Sequence, residues 1–312
     1  MYSFGAINRT RHLVVKNATY RQRRTHRDQT LLRGQHCGVS RVIQNFRDGF
    51  RYIAEMDIES CYQSFNSTRV GQLLALPERV TANSLGMHNL KLHPTPNLAW
   101  EWYHPSDVSS PEKLAEVFFH QFEVEIATAL PGLIEGSMAS PFVVEMLLAP
   151  TCRALRTANL GRVVCYADNF LLMAKSAKQL EAMEQRLRDE LLAHPVGSHL
   201  VHLDRNSSPG SPFPFLGYQL VPERGMLRPE PGTKVLKNAK NLRKCVYKKL
   251  RSSIPLAEKR RIFVKTEEKH WTIVNSLRLW EGRKNFHNCK MRTFRRQLGI
   301  SCPQGLIPER RS

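Results

Sequence analysis

The sequence has little that points to a membrane, to secretion or to a structural zinc site. No apolar run approaches the ~20 residues of a membrane span, and the basic N-terminus lacks the apolar core of a signal peptide. The first 51 residues are rich in arginine, so an amphipathic organellar presequence stays open. The seven cysteines form no C-x-x-C pair and no zinc-finger spacing, which indicates reduced, mostly buried thiols in a cytosolic protein. The sequence also contains no internal repeat or low-complexity stretch.

Acidic residues are scarce and unevenly distributed. The chain carries 47 Lys and Arg against 27 Asp and Glu, a formal net charge of +20. Residues 1–55 hold 11 basic against 3 acidic residues, residues 226–312 hold 23 against 6, and the stretch between them is net negative. This distribution predicts that the two basic flanks bind a polyanion and that metal-binding carboxylates lie in the acidic centre between them. A generally basic, ribosome-associated protein with solvated charged helices would show the same balance.

The length and the apolar content indicate a folded protein. A chain of 312 residues with 41% hydrophobic residues can bury a substantial core, in one large domain or in two to three subdomains. Hydrophobic spacing predicts a charged amphipathic helix over 177–193, and a densely basic helical region from Lys234 onward. In that region six cations recur every three or four residues and predict a face for a nucleic-acid backbone: Lys237, Lys240, Arg243, Lys244, Lys248 and Lys249.

Two stretches place carboxylates at the ends of strands. Residues 161–174 read G-R-V-V-C-Y-A-D-N-F-L-L-M-A, in which two apolar runs flank a turn-prone Asp168-Asn169 pair and predict a β-hairpin with a carboxylate at its tip. An ordinary surface hairpin would use the same pair for its turn alone. Residues 52–58 predict a strand that ends at Asp57 and passes into a helix, with the backbone carbonyl of Ile58 as a further oxygen ligand. Carboxylate and carbonyl oxygens suit a hard divalent cation.

Two further segments predict turns. G-L-I-E-G-S-M-A-S-P over 132–141 is a glycine-containing turn before a helix predicted over 142–158, whose N-terminus offers free N–H groups to an anion. F-L-G-Y-Q-L over 215–220 predicts a strand with a tight turn at Gly217.

Taken in order, four of these segments resemble the palm motifs of reverse transcriptases, in particular the bacterial group II intron, retron and phage-defence branches. M-D-I-E-S-C-Y (56–62) is similar to the first palm motif, and the loop at 132–141 to the template and nucleotide loop. C-Y-A-D-N-F (165–170) is similar to the Y-A-D-D hairpin, and F-L-G-Y (215–218) to the primer grip. The resemblance covers residues 52–220, and the basic tail matches the family's thumb in composition only.

The resemblance implies a two-metal nucleotidyl transfer with Mg²⁺ or Mn²⁺ as cofactor. Asp57 and Asp168 fall on the metal-binding aspartates, and Asn169 on the third catalytic position. Tyr62 falls on the steric-gate aromatic that favours dNTPs. Glu135, Gly136 and Ser137 fall on the loop that contacts the nucleotide. Phe215, Leu216, Gly217 and Tyr218 fall on the primer grip. The implied partners are dNTPs, an RNA template and a DNA product.

The sequence departs from the family pattern at several positions. Asn169 replaces the second aspartate of the hairpin, and Glu135 stands where the loop usually has glutamine. No lysine occupies the fourth palm motif, where Arg205 is the nearest cation and a poor proton donor. About 55 residues precede the first motif, too few for full fingers, and Arg21, Arg23 and Arg24 are the triphosphate-binding candidates there.

The sequence therefore predicts an α+β protein with a right-hand polymerase palm. The predicted parts are reduced fingers at 1–51, a palm of antiparallel strands with packing helices at 52–225, and a basic helical thumb at 226–312. RNA-templated DNA synthesis is the first interpretation, and template-independent synthesis is open if Glu135 alters the loop. Either the start of the chain is truncated, or the fingers are reduced, or a structured non-coding RNA or a partner chain completes them. The rival interpretations are a catalytically silent nucleic-acid-binding subunit and a decayed or partial gene product.

Overall fold

A computed structural model describes Leu13, Val15, Lys16 and residues 27–86, 132–134, 137, 139–207, 209–251 and 253–300. These described residues divide into two compact units, one formed by those up to residue 32 together with those of 52–206, and one formed by residues 33–51 together with those from 207 onward. Residues 33–51 thus cluster with the C-terminal part of the chain. Helices and antiparallel strands are mixed in the sequence, which confirms the predicted α+β class. In the part of the chain that is described, no helix combines the length and apolar character needed to cross a bilayer.

The first unit contains a four-stranded sheet and its packing helices. The strands are β1 (Tyr52–Ile58), β2 (Arg162–Tyr166), β3 (Asn169–Ala174) and β4 (Val201–Ser207), in the order β2-β3-β1-β4. β3 pairs antiparallel with both β1 and β2. Helices lie between β1 and β2 and between β3 and β4 in the chain, so the order is that of the split β-α-β arrangement.

The described helices of this unit follow apolar spacing, and Pro150 separates two of them. They are α2 (Cys61–Ser64), α3 (Ser67–Leu73), α4 (Glu78–Ser84), α5 (Ser140–Leu147), α6 (Ala149–Thr157) and α7 (Ala177–Leu192). Helix α7 buries the predicted stripe of Leu180, Met183, Leu187 and Leu191. The single helix predicted over 142–158 is two helices, because Pro150 in the first turn of α6 lacks the N–H that a continuous helix would need.

Residues 28–30 add to the edge of the same sheet, which the weak pattern of the N-terminal sequence does not indicate. Gln29 forms a parallel bridge with Cys165, and the backbone N–H of Thr30 donates to the Cys165 carbonyl at 2.8 Å. The buried Asp28 accepts from Arg156 at 3.1 Å and fixes this segment to α6. The β2–β3 hairpin is therefore supported from its outer side as well.

The second unit contains a helix from the N-terminal part of the chain, a three-stranded sheet and three long helices. A short 3-10 helix (Leu31–Arg33) precedes α1 (Gln35–Arg47), and the sheet β5 (Phe213–Phe215), β6 (Tyr218–Glu223) and β7 (Met226–Pro231) is antiparallel in that order. The helices are α8 (Thr233–Arg251), α9 (Leu256–Asn275) and α10 (Arg283–Leu298).

Tyr218 is the largest fully buried side chain among the described residues and links elements of the second unit. Its hydroxyl accepts from the backbone N–H of Leu279 at 3.2 Å and lies 2.9 Å from Nδ1 of His36 on α1. Burial lowers the pKa of His36, which favours the neutral ring. Nδ1 of the neutral ring can accept a hydrogen bond from the Tyr218 hydroxyl. One side chain thus joins α1, the sheet and the residues after α9.

Two histidines form a second buried contact in this unit. His270 on α9 and His287 on α10 are fully buried, and their Nδ1 atoms lie 2.9 Å apart. Burial lowers the pKa of both rings to about 4, and in His287 the Arg295 guanidinium adds to the effect. Both rings are therefore neutral in the folded protein at neutral pH.

We expect Tyr218→Phe to lower the free energy of unfolding of the protein. The change removes the hydroxyl and leaves the Leu279 N–H and the His36 ring without their partner, which costs about 1–2 kcal/mol. Chemical denaturation of the purified protein measures the difference. Tyr247→Phe is the control, since the Tyr247 side chain is 42% exposed. Equal stability of the two variants would contradict a structural role for the Tyr218 hydroxyl.

The buried histidine pair predicts a loss of stability in acid. The unfolded chain binds protons near the ordinary histidine pKa of about 6.5, whereas the folded pair does so only near pH 4. Stability is therefore complete above pH 6.5 and falls as the pH drops from there toward 4. His287→Asn should flatten this slope in denaturation curves taken across the range. His202→Gln, which changes an exposed ring, should keep the wild-type slope, and an unchanged slope in His287→Asn would contradict the assignment.

Candidate functional site

Three strands bring the predicted hairpin residues and the first-motif aspartate together. The register of β1 on β3 sets Asp57 directly opposite Asn169, and the register of β2 on β3 sets Tyr166 opposite the same residue. The loop of the hairpin is therefore Ala167-Asp168, with Ala167 in the left-handed region at φ 55°. The predicted Asp168-Asn169 turn was wrong by one residue, because Asn169 already pairs as the first residue of β3.

The carboxylates of this region repel one another in a half-buried space. Burial raises the pKa of Asp57 to about 6, and the neighbouring charges of Asp168, Asp204 and Glu55 add to it, while a backbone hydrogen bond from Ile58 opposes it. Burial also raises the pKa of Glu55, against the opposing effects of the Asn169 hydrogen bond and of Arg205. A bound cation would relieve this repulsion.

Sequence reasoning missed Glu55 and Asp204. Glu55 lies two residues before Asp57 on β1, and strand alternation places both on one face of the sheet. Asp204 lies on β4, the neighbour of β1 in the sheet. The period-2 pattern of β1 was a signal for Glu55, whereas nothing in the sequence placed β4 beside β1.

The amide nitrogen of Asn169 is hydrogen-bonded, whereas its amide oxygen has no hydrogen-bond partner among the described residues. Its Nδ2 donates to Oε1 of Glu55 at 2.9 Å. Its Oδ1 is buried and has no hydrogen-bond partner within the described residues. A buried amide oxygen in this state is free to accept from a donor or to ligate a cation.

The oxygen atoms of this site fit a magnesium ion whose coordination shell is completed by a substrate. They do not fit a site in which the protein supplies every ligand. Among the described residues, no group of three or more His, Cys, Asp and Glu side chains is placed to hold a metal ion. Mg²⁺ is commonly bound through one or two carboxylates, with water and substrate phosphates as its other ligands. Asp57, Asp168 and the amide oxygen of Asn169 would be the holding groups in such a site.

Tyr62 lies beside the glycine of the predicted nucleotide loop. The Tyr62 side chain is half-buried on α2, and its backbone carbonyl accepts from the N–H of Leu133 at 2.7 Å. A Cβ added at Gly132 would lie 2.6 Å from the Tyr62 oxygen and 2.5 Å from the Gln63 Cα. The glycine is therefore required for the close approach of the loop to α2.

The rest of the predicted nucleotide loop is only partly described. Glu135 and Gly136 lie outside the described residues. Ser137 is buried, and its hydroxyl accepts from the backbone N–H of Ala139 at 3.1 Å. Its side chain thus supports the turn into α5, and its role at a nucleotide stays a prediction. The candidate cations Arg21, Arg23 and Arg24 are also outside the described part of the chain.

The four residues of the predicted primer grip divide into a buried pair and a hairpin tip. Phe215 and Tyr218 are buried in the second unit. Leu216 and Gly217 form the two-residue turn between β5 and β6, with φ of 46° and 82°, and Gly217 is exposed. Two left-handed residues are what a type I′ hairpin turn needs, so the predicted turn at Gly217 is present and only its tip can meet a ligand.

Five of the six predicted backbone-binding cations lie on the exposed side of α8. Ala239 and Val246 are the buried residues of this helix. Arg243 is half-buried, its Nε is buried without a hydrogen-bond partner in the described residues, and its charge lowers the pKa of His270. It therefore belongs to the interior side of the helix. The exposed cations are Lys237, Lys240, Lys244, Lys248 and Lys249.

Comparison with known proteins gives a distant structural likeness. No family model and no curated protein matches the sequence. Telomerase from Candida tropicalis without ligand is 12% identical, with 94% of this chain and 50% of that chain covered at a TM-score of 0.45. Telomerase from Candida albicans in complex with the TWJ fragment of telomeric RNA is 12% identical, with 93% and 55% covered at a TM-score of 0.40. The Candida tropicalis enzyme with the same kind of fragment is 14% identical, with 97% and 56% covered at 0.40.

This chain spans about half the length of those telomerase chains. At TM-scores below 0.5 no function and no detail of the fold passes from them to this chain. The polymerase subdivision into fingers, palm and thumb, and the bacterial branches named above, remain predictions from the sequence.

Proposed function

We propose that the chain is a reverse transcriptase-like nucleotidyltransferase that adds dNTPs to a primer, with RNA as template and DNA as product. The observation that carries the proposal is the strand register, which sets Asp57 on β1 opposite Asn169, the residue that follows Asp168. In keeping with this placement, the charge of Asp168 raises the pKa of Asp57. A two-metal phosphoryl transfer requires protein carboxylates that hold the metal ions, and two aspartates from separate segments of the chain can meet this requirement. The first unit would hold the palm, and α8–α10 the thumb.

Each residue of the site has a proposed task. Asp57 and Asp168 would hold Mg²⁺ or Mn²⁺, with the Asn169 oxygen as a weaker, neutral ligand. The metal, when bound, would activate the primer hydroxyl and stabilise the charge on the triphosphate. Tyr62, half-buried beside Gly132, would limit the space at the sugar and exclude a 2′-hydroxyl.

A second function is favoured by the amide at position 169. With a neutral side chain there, and with no described cluster of three metal-ligating side chains, the chain would serve as a catalytically silent nucleic-acid-binding subunit. RNA or another polymerase chain would then be its partner. This alternative predicts RNA binding with a steep salt dependence and no nucleotide incorporation in magnesium or in manganese.

Incorporation of labelled dNTPs tests the first function. We expect extension of primed RNA in magnesium or manganese, and a loss of about 100-fold or more in Asp168→Asn, because the change removes one charged ligand and keeps the shape. Asp189→Asn on α7 is the matched control and should extend at the wild-type rate. Lanes without primed RNA show whether a template is needed. Equal extension by both variants, or none by the wild type, would overturn the enzymatic proposal.

Salt titration of RNA binding tests the basic face of α8. Each lysine that neutralises a phosphate of single-stranded RNA contributes about 0.7 to the slope of log affinity against log salt. Lys240→Gln should therefore reduce the slope by about 0.7, and the combined change of Lys237, Lys240, Lys244 and Lys248 to Gln by about 3. Lys178→Gln on α7 of the first unit is the control and should leave the slope unchanged. Unchanged slopes in both the single and the combined α8 variants would place the RNA elsewhere.

A further inference from the structure

The amide at position 169 is coupled to a carboxylate that the sequence did not single out. Glu55 and Asp57 lie on one face of β1, and Asn169 lies opposite Asp57 on β3. The Asn169 side chain crosses diagonally to Glu55 and donates to it at 2.9 Å. A carboxylate therefore lies in direct contact with the neutral amide at position 169.

The hydrogen bond determines which way the amide points. The NH₂ group of Asn169 donates to Oε1 of Glu55 at 2.9 Å and therefore faces Glu55. The amide oxygen is then turned away from Glu55 and is the atom that is buried without a partner in the described residues. Leaving such an oxygen unpaired costs free energy, and a cation beside Asp57 and Asp168 would offset that cost.

Glu55 belongs by position to the same group of side chains as Asp57 and Asn169. It lies on the same face of β1 as Asp57, and it contacts Asn169, the residue that pairs with Asp57 across the two strands. Its carboxylate is therefore next to the candidate ligands, although it is occupied by Asn169.

We propose that Glu55 and Asn169 act as one unit, in which Glu55 places a carboxylate beside the neutral side chain at position 169 and holds the Asn169 oxygen toward the cation. Glu55 is a positioning residue in this scheme, because it acts through Asn169. The inference rests on the proposed function for the presence of the cation, and on the observed hydrogen bond for the coupling.

A consequence is that Asn169→Asp does not restore a typical metal site. It sets two carboxylates against each other at hydrogen-bonding distance, and like charges so placed are destabilising. The paired change Glu55→Gln with Asn169→Asp keeps the number of carboxylates and exchanges the donor and the acceptor of the hydrogen bond. The amide introduced on β1 then donates to the carboxylate introduced on β3, and the charge moves to the hairpin.

A double-mutant cycle measures this coupling. Wild type, Glu55→Gln, Asn169→Asp and the double variant are titrated with Mn²⁺ by calorimetry in the absence of nucleotide, and their melting temperatures are measured without metal. Glu55→Gln keeps an acceptor for Asn169 and loses the charge, so Mn²⁺ affinity should fall about tenfold with little change in melting temperature. Asn169→Asp should lower the melting temperature by about 4 °C or more and change Mn²⁺ affinity by less than about threefold.

The double variant gives the deciding result. Its melting temperature should return to the wild-type value, and Asn169→Asp should tighten Mn²⁺ binding about tenfold when it is made in the Glu55→Gln background. Glu59→Gln removes an exposed negative charge two residues after Asp57 and is the control, with unchanged affinity and melting temperature expected. If Asn169→Asp has the same effect in both backgrounds, the two residues are independent and the proposal is overturned. Absence of Mn²⁺ binding in all four proteins overturns it too.

The nucleotide incorporation assay separates this proposal from the proposed function. Coupled Mn²⁺ affinities in a protein that incorporates no dNTP would support the Glu55–Asn169 unit and overturn the polymerase. Asp168-dependent incorporation with additive Mn²⁺ affinities would support the polymerase and overturn the unit.

Discussion

The antiparallel pairing of β1 with β3 is the constraint on which the candidate site depends. It sets Asp57 opposite Asn169 and brings Glu55 within reach of the Asn169 amide. Because side chains alternate between the two faces of a strand, a slip of one residue would move these groups to the opposite face. Both strands are covered by apolar neighbours, with Met56, Phe170 and Leu172 fully buried, so the core fixes the register that the polar residues use.

The same arrangement of carboxylates lowers the stability of the folded protein. The charges of Asp168, Asp204 and Glu55 all raise the pKa of Asp57, which lies in a space half removed from water. Packing alone gives no reason to gather like charges there, and perturbed carboxylates of this kind are typical of functional sites. The rest of the first unit is stabilised by ordinary contacts, such as the buried apolar stripe on α7 and the ion pair between Asp28 and Arg156 at the sheet edge.

Local patterns in the sequence predicted what depends on local order. The apolar runs on either side of residues 167 and 168 were enough to predict the hairpin, and the spacing of Leu180, Met183, Leu187 and Leu191 was enough to predict α7. The contact of Asn169 with Glu55 joins residues 114 positions apart and requires the strand register, which the sequence does not state. Helical spacing also could not tell that Arg243 turns inward while its lysine neighbours are exposed, since that depends on the packing of α8 against α9.

The residues of the second unit come from two distant parts of the chain. Helix α1 packs with β7, and Tyr218 bonds to His36, so the partners of α1 lie about two hundred positions further along the chain. During synthesis from the N-terminus α1 is made long before these partners, and contacts of such high sequence separation form slowly. Synthesis reaches the end of the first unit at residue 206, before the residues that pack with α1 have been made. A ribosome that stops before β7 would release a chain in which the apolar side of α1 has no β7 to cover it, and exposed apolar surface of this kind is what chaperones and proteases recognise.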